Sequence, residues 1–410
     1  MKITVISPFP PSLDSNADFA LLYVKNWLDL FPDIEISVLC NKTNKKITQE
    51  GYSHIPQTRI DVQRIWDVGF FARKEIKSIS ERLESFQPDL IYINNNIVTF
   101  GNFLKTYRIT IKILYYALRH NINTVVTVHS VIVDPMLKLF GLNLKKLGRF
   151  GEQIYKITTV PFNRMLERIL SLSSLNVFTS RSALNYVSSL VDRKIKKVYI
   201  PLGMDLSKNI STSPKVKDRG VFKISYFGFL APYKGIEDII NAAKYYKNIS
   251  NRKVKFQIYG SAVINGKKNS KYLKKLETMI QKHDLGMLVK IYEKYYSNEE
   301  IHCNLSSSEL VVYPFYDDGI LSSSASIYEA LMTDAKIIVS DSGRLTDFVD
   351  FEGVFMYHSR DPNSLIQRIN EAMDKPEINN SLRKEQLHKH YDINVARTYF
   401  GLFNEIKHLS

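Results

Sequence analysis

Two stretches of the chain combine residue types and spacing suited to holding an anion. The first is Leu310 to Asp341, LVVYPFYDDGILSSSASIYEALMTDAKIIVSD. Its apolar runs, Leu310 to Tyr313 and Lys336 to Ser340, predict two buried strands. Between them lie Asp317, Asp318 and Gly319, then Ser322, Ser323 and Ser324 at the expected start of a helix carrying Tyr328 and Glu329. A βαβ unit of this kind feeds a strand's carboxyl end into a helix N-terminus, where unpaired N–H groups and the helix dipole favour phosphate. The serine hydroxyls could add donors or could merely cap the helix. The second stretch is ISYFGFLAPYKGIEDIINAAKYYK. A strand ends at Phe227, Gly228 permits close backbone approach, Lys234 offers a mobile cation, and Ile236, Ile239, Ile240 and Ala243 pattern a helix. Neither stretch is a Walker sequence, and GxGxxG is absent from the chain.

The elements that must position these residues alternate between strand and helix patterns, which predicts stacked βαβ units and mostly parallel sheets. Strands are expected at Lys2–Ser7, Glu35–Leu39, Leu90–Asn94, Thr124–His129, Leu175–Thr179 and Lys197–Ile200. A second series falls at Lys223–Phe227, Lys255–Tyr259, Val289–Tyr292, Leu310–Tyr313, Lys336–Ser340 and Gly353–Met356. A length of 410 residues also favours two domains. The polar, aperiodic segment SKNISTSPKVKDRG marks the seam. The expected division is a first Rossmann-like domain at 1–203, a second at 204–390, and a C-terminal helix at 391–410 that could pack back on the first domain.

Composition narrows the class. Hydrophobic residues at 44% and charged residues at 24% describe a soluble globular protein. No run reaches the roughly 20 apolar residues of a membrane span. The N-terminus MKITVISPFPP reads as a first strand and not as a secretory signal, so a cytoplasmic protein is expected. Cys40 and Cys303 form neither a disulfide framework nor a metal-ligand spacing. The net charge of +15 is concentrated: residues 101–200 hold sixteen Lys and Arg against four acids. Such a region attracts anionic partners, or simply solubilises the protein. Within it, Leu137, Phe140, Leu144 and Leu147 recur at helical spacing beside Lys138, Lys145, Lys146 and Arg149. This basic amphipathic pattern, in the Asp134 to Leu172 segment, suits either a helix packed on its own domain or a lid or membrane-surface element.

FGFLAPYKGIEDIINAA resembles the pattern G-x-L-x-x-x-K-G-x-x-x-L-I-x-A that opens the C-terminal domain of retaining GT-B glycosyltransferases of family 4. Other fragments match in family order: ISPFPPSLDSNADFALLYVKNWL, QPDLIYINN, TVVTVHS and NVFTSRSAL, then VYIPLGMD, FQIYGSA and YPFYDDGILSSSASIYEALMTDAKIIVSDSG. The resemblance spans nearly the whole chain. It implies an α/β GT-B fold, two Rossmann-like doubly wound parallel-sheet domains facing an interdomain cleft. It also implies an EC 2.4 transferase that moves a sugar from a nucleotide-sugar, UDP- or GDP-linked, to a glycan or lipid-linked acceptor with retention, and without a metal or other cofactor.

Residue by residue, the resemblance puts Lys234 and Gly228 at the donor diphosphate, Gly319 and Ser322 to Ser324 along the donor turn, and Glu329 on the nucleotide ribose. It puts His129 near the transferred sugar, and Ser15, Asn16 and Asp18 in an N-terminal loop facing the acceptor. Arg181 could reach phosphate, acceptor or the basic face. Three positions depart from the pattern. Phe229 stands where an arginine is common, so a second cation must come from elsewhere, with Arg181 one source. Leu321 replaces the first acid of the E-x7-E motif, for which Asp317 or Asp318 could substitute, or serve as a catalytic base. The N-terminal loop lacks its glycines. Two readings follow: a transferase at the cytoplasmic membrane face, peripheral on an anionic surface, or a GT-B-like protein that binds nucleotide-sugar without turnover. Nucleic-acid binding would account for the charge but has no motif here.

Overall fold

The computed structural model describes residues 1–12, 15–42, 59–67, 73–135, 137, 148–205, 220–248, 253–264 and 267–407. Among them the first half of the chain runs β1 (Lys2–Ile6), α1 (Ser15–Leu30), β2 (Glu35–Asn41), β3 (Ile60–Trp66), α2 (Arg73–Phe86), β4 (Leu90–Asn95), α3 (Phe103–Arg119), β5 (Asn123–Val128), β6 (Ser130–Ile132), α4 (Gly148–Leu172), β7 (Leu175–Phe178), α5 (Arg181–Ser188) and β8 (Lys197–Tyr199). The second half runs β9 (Phe222–Phe227), α6 (Ile236–Asn248), β10 (Val254–Gly260), β11 (Val263–Ile264), β12 (Lys267–Lys268), α7 (Ser270–Lys282), β13 (Val289–Glu293), α8 (Asn298–Ser306) and β14 (Leu310–Tyr313). Then come β15 (Ile320–Ser322), α9 (Ser326–Leu331), β16 (Lys336–Ser340), β17 (Val354–Tyr357), α10 (Pro362–Asp374), α11 (Asn380–Leu387) and α12 (Asp392–Lys407).

Continuous apolar strands such as β1 (KITVI) and β14 (LVVY) are buried on both faces, which requires a parallel sheet covered by helices. The described residues form two such sheets. One is ordered β3-β2-β1-β4-β5-β7-β8 and the other β13-β10-β9-β14-β16-β17, every pairing within them parallel. Strand order reverses direction between β1 and β4 in the first sheet and between β9 and β14 in the second. Each is a doubly wound, Rossmann-like domain with its crevice at that switch point.

The chain divides into two compact units: Met1–Asp205 with Gly319–Ser323 and Lys389–Ser410, and Leu206–Asp318 with Ser324–His388. In the first unit, α12 lies along α1. Phe400 stacks on Phe31 at 3.4 Å between centroids, and the Trp27 indole N–H donates to the Ala396 carbonyl at 3.1 Å. The VYIPLGMD segment is pinned at the start of the same helix and to the turn before it: Met204 N–H donates to the His390 carbonyl, and Asp392 N–H to the Met204 carbonyl.

Two expectations change. The serine run does not begin a helix: Ser322 belongs to β15, which pairs antiparallel with β6 (Ser322 opposite Ser130), so the backbone there is committed to a strand ladder. Helix α9 starts only at Ser326, is six residues long, and has Ala325, which makes no side-chain capping bond, at its N-cap. Ser15, Asn16 and Asp18 are not in a loop either, since α1 already begins at Ser15. The amphipathic pattern through Phe140, Leu144 and Leu147 lies outside the described residues. Its C-terminal continuation, α4, is a 25-residue helix with Pro161 inside it.

Candidate functional site

The second sheet presents its crevice between the ends of β9 and β14. After β9 the chain makes a 3-10 turn, Pro232–Lys234, closed by Gly235 at φ 64°. The loop after β14 rests on this turn, with Tyr316 N–H donating to the Tyr233 carbonyl at 2.8 Å. Tyr316 is anchored from behind: its hydroxyl donates to Asp238 at 2.6 Å, and Asp238 also accepts from the Tyr357 hydroxyl at 2.9 Å. Gly228 follows β9 at φ 152°, where a Cβ would sit 2.8 Å from the Tyr226 hydroxyl, so only glycine fits without displacing that ring.

Lys234 is not a solvated loop cation. It is buried, 8% exposed, with Nζ 3.6 Å from the centre of the Phe315 ring. Burial pushes its ammonium well below the ordinary lysine range; Arg344 adds to that effect and Asp318 opposes it. Arg344 grips the Asp318 carboxylate with Nη2 at 2.8 and 2.9 Å from its two oxygens and Nε at 3.2 Å. Asp317 accepts from the Gly343 N–H at 3.3 Å. Arg344 is the residue that sequence reasoning missed. The available signal was topological: β14 and β16 are neighbours in a parallel sheet, so the loops leaving their carboxyl ends meet.

Glu329 is half-buried in the first turn of α9, and its charge adds to burial in raising the Tyr313 hydroxyl. That hydroxyl donates to the Ser326 carbonyl at 2.6 Å, and the Ser324 and Ser326 hydroxyls lie 3.1 Å apart.

The first sheet's crevice, between the ends of β1 and β4, holds a neutral polar network. His129 follows β5, is 6% exposed, and places Nε2 2.5 Å from Asn94 Oδ1. An amide oxygen only accepts, so Nε2 carries the proton. Burial drives the pKa of the ring down to about 4, which keeps it neutral at ordinary pH. Asn94 Nδ2 in turn donates to Ser7 Oγ at 2.9 Å and to the Asn16 carbonyl at 3.1 Å. Asn16 is buried, while Asp18 is exposed on the same first turn. Asn94 also went unread in the sequence, although three asparagines at a strand end, Asn94 to Asn96, are an unusual polar cluster. Arg181 begins α5, its guanidinium carbon 4.9 Å from the Tyr199 ring centre.

Gly319 also belongs to this unit. Its carbonyl accepts from Val133 N–H at 2.9 Å and Asp134 N–H at 3.1 Å. At φ 77°, a Cβ would lie 2.4 Å from the Asp134 carbonyl oxygen. The expected site residues therefore fall into two groups. Gly228, Lys234, Asp317, Asp318, Ser324 and Glu329 are in the second unit; Ser15, Asn16, Asp18, His129, Arg181, Gly319, Ser322 and Ser323 are in the first. Among the described residues no three His, Cys, Asp or Glu side chains converge as metal ligands would.

Residues 208–388, essentially the second domain, match the family model of glycosyl transferases group 1. No curated protein matches the chain in sequence. Among solved structures, it is similar to sucrose-phosphate synthase from Thermosynechococcus elongatus at TM-score 0.73 and 16% identity, covering all of both chains. It is similar to a glycosyltransferase from Rickettsia africae at TM-score 0.72 and 12% identity, over 99% of this chain and 98% of that one. A third, HepE of Anabaena in complex with UDP-glucose, aligns at TM-score 0.61 and 14% identity over 100% and 98% of the two chains.

Proposed function

We propose that this GT-B glycosyltransferase, an EC 2.4 enzyme with a group 1 glycosyl transferase domain at residues 208–388, moves a sugar from a nucleotide-sugar to a glycan or lipid-linked acceptor with retained configuration. The observation that carries the reading is the cationic crevice at the switch point of the second sheet, where Lys234 is held at a strand end beside Arg344. A diphosphate entering there favours the charged form of a lysine whose pKa burial has lowered. The UDP-glucose held by the Anabaena neighbour supports a nucleotide-sugar as the donor class.

In this mechanism the cations and backbone N–H groups stabilise the charge that grows on the leaving diphosphate, and a diphosphate oxygen helps deprotonate the acceptor on the same face. Glu329 accepts from the ribose hydroxyls. His129 positions the sugar as a neutral hydrogen-bonding ring. It does not act as a general base through Nε2, which is already committed to Asn94. Asp318 is committed to Arg344 before a donor binds. A second reading, nucleotide-sugar binding without turnover, is favoured by Leu321, which leaves the first acid position of the family pattern without a carboxylate.

A thermal-shift screen of UDP-, GDP- and ADP-sugars tests both readings. One donor is expected to stabilise wild type and to lose most of that shift in Lys234→Ala and Glu329→Ala. Stabilisation by none of them removes the donor assignment. Binding without transfer or hydrolysis by purified enzyme selects the second reading.

A further inference from the structure

Phe229 stands where the resemblance calls for an arginine, is 42% exposed, and brings no charge to the diphosphate. The second unit supplies a cation by another route. Arg344 leaves the end of β16, the strand beside β14, and its guanidinium carbon lies 5.1 Å from the centre of the Tyr233 ring. Lys234 Nζ lies 5.2 Å from the centre of the same ring. Two cations thus flank one aromatic side chain at the crevice of the donor sheet. A guanidinium binds planar two-oxygen groups in a fork, and a carboxylate and a phosphate present nearly the same pair of acceptors.

We infer that Arg344 is the second diphosphate cation of this chain, and that the Asp318 carboxylate occupies its fork until a donor arrives. This rests on the nucleotide-sugar reading of the same crevice. Asp318 and Arg344 are both largely buried, with side chains 14% and 15% exposed, and two oxygens meet the guanidinium. A cation held at a binding crevice without an anion would repel Lys234 and lack solvation; Asp318 supplies that anion from within the chain. A diphosphate carries more charge than one carboxylate and displaces it from Arg344. Asp318 therefore competes with the donor, and its removal strengthens donor binding where loss of an ordinary site residue would weaken it.

The test is calorimetric titration of wild type, Arg344→Ala, Arg344→Lys and Asp318→Asn with UDP and GDP, and with uridine and guanosine as diphosphate-free probes. For the base that binds, Arg344→Ala is expected to weaken the nucleoside diphosphate by roughly 10- to 100-fold, as for a lost charge-assisted pair, and to leave the nucleoside unchanged. Arg344→Lys falls between the two. Asp318→Asn tightens the diphosphate several-fold, a gain that misfolding does not mimic. Wild type binding neither diphosphate overturns the nucleotide-sugar reading, and this inference with it. If wild type binds one, unchanged binding in Arg344→Ala, or binding by Asp318→Asn no tighter than wild type, overturns the inference alone.

Discussion

Charge state at single residues sets what the two crevices can do. His129 is neutral because burial lowers its folded pKa to about 4, below the ordinary value of 6.5. His390, buried near Lys389 and Arg181, is lowered to about 3. The sign follows from proton counts. Between pH 6.5 and 4 the unfolded chain binds protons at these rings that the folded chain refuses, so stability is intact above about pH 6.5 and is lost as pH falls. From pH 7 to 5 each buried histidine costs on the order of 2 kcal/mol at most. The unfolding midpoint is expected to drop by several degrees over that interval, with a shallower slope in His129→Gln. A flat profile would contradict the buried neutral ring. The transferase rate should likewise show no inflection from His129 near pH 6.5.

At the scale of elements, the informative case is β15. Restoring the acid of the family pattern by Leu321→Glu looks like a repair in sequence. In the structure Leu321 lies in a strand paired with β6, opposite Val131, and packs on the apolar core of the first unit. A carboxylate there loses apolar contact and solvation together, costing about 1–3 kcal/mol, or several degrees of melting temperature. Leu321→Glu is expected to melt earlier and to bind donor no better, and a tighter donor with an unchanged melting temperature would refute this placement. The same strand marks where the sequence was hard to read. The strands with largely continuous apolar runs, β1, β4, β14 and β16 among them, were legible because burial on both faces leaves a nearly unbroken pattern. β3 was not, since an edge strand reading IDVQRIW is only partly buried, and the three residues of β15 acquire their strand character from β6. The site divides in the same way. Lys234 was legible from a strand, a glycine and a loop within one stretch. Arg344 and Asp318 are 26 residues apart, and Asn94 and His129 are 35 apart, so their pairing depends on which strands are neighbours. Single-sequence patterns do not carry that order.

For the molecule as a whole, the excess of positive charge bears on where an acceptor would be met. Sixteen basic against four acidic residues in 101–200 all belong to the first unit, the one that also holds Asn16, Asp18 and His129. Among the described residues no helix is long and apolar enough to cross a membrane. Helix α4 nonetheless exposes Ile157 by 71% and Val160 by 43%, beside Lys156 and near Arg164. Exposed apolar side chains among lysines and arginines suit a surface helix that rests on anionic headgroups, where each nearby cation contributes on the order of 1 kcal/mol and the effect fades beyond a Debye length. A protein meeting a lipid-linked acceptor in this way co-sediments with vesicles containing phosphatidylserine and not with pure phosphatidylcholine, and raised salt releases it. Ile157→Asp combined with Val160→Asp removes the apolar part of the contact and adds repulsion at two exposed positions. The double variant is expected to lower vesicle binding by about tenfold or more while its melting temperature and nucleotide affinity stay near those of wild type, because neither side chain is buried. Equal and negligible sedimentation with both vesicle types would refute a membrane contact and leave the basic face as a solubilising or acceptor-steering surface.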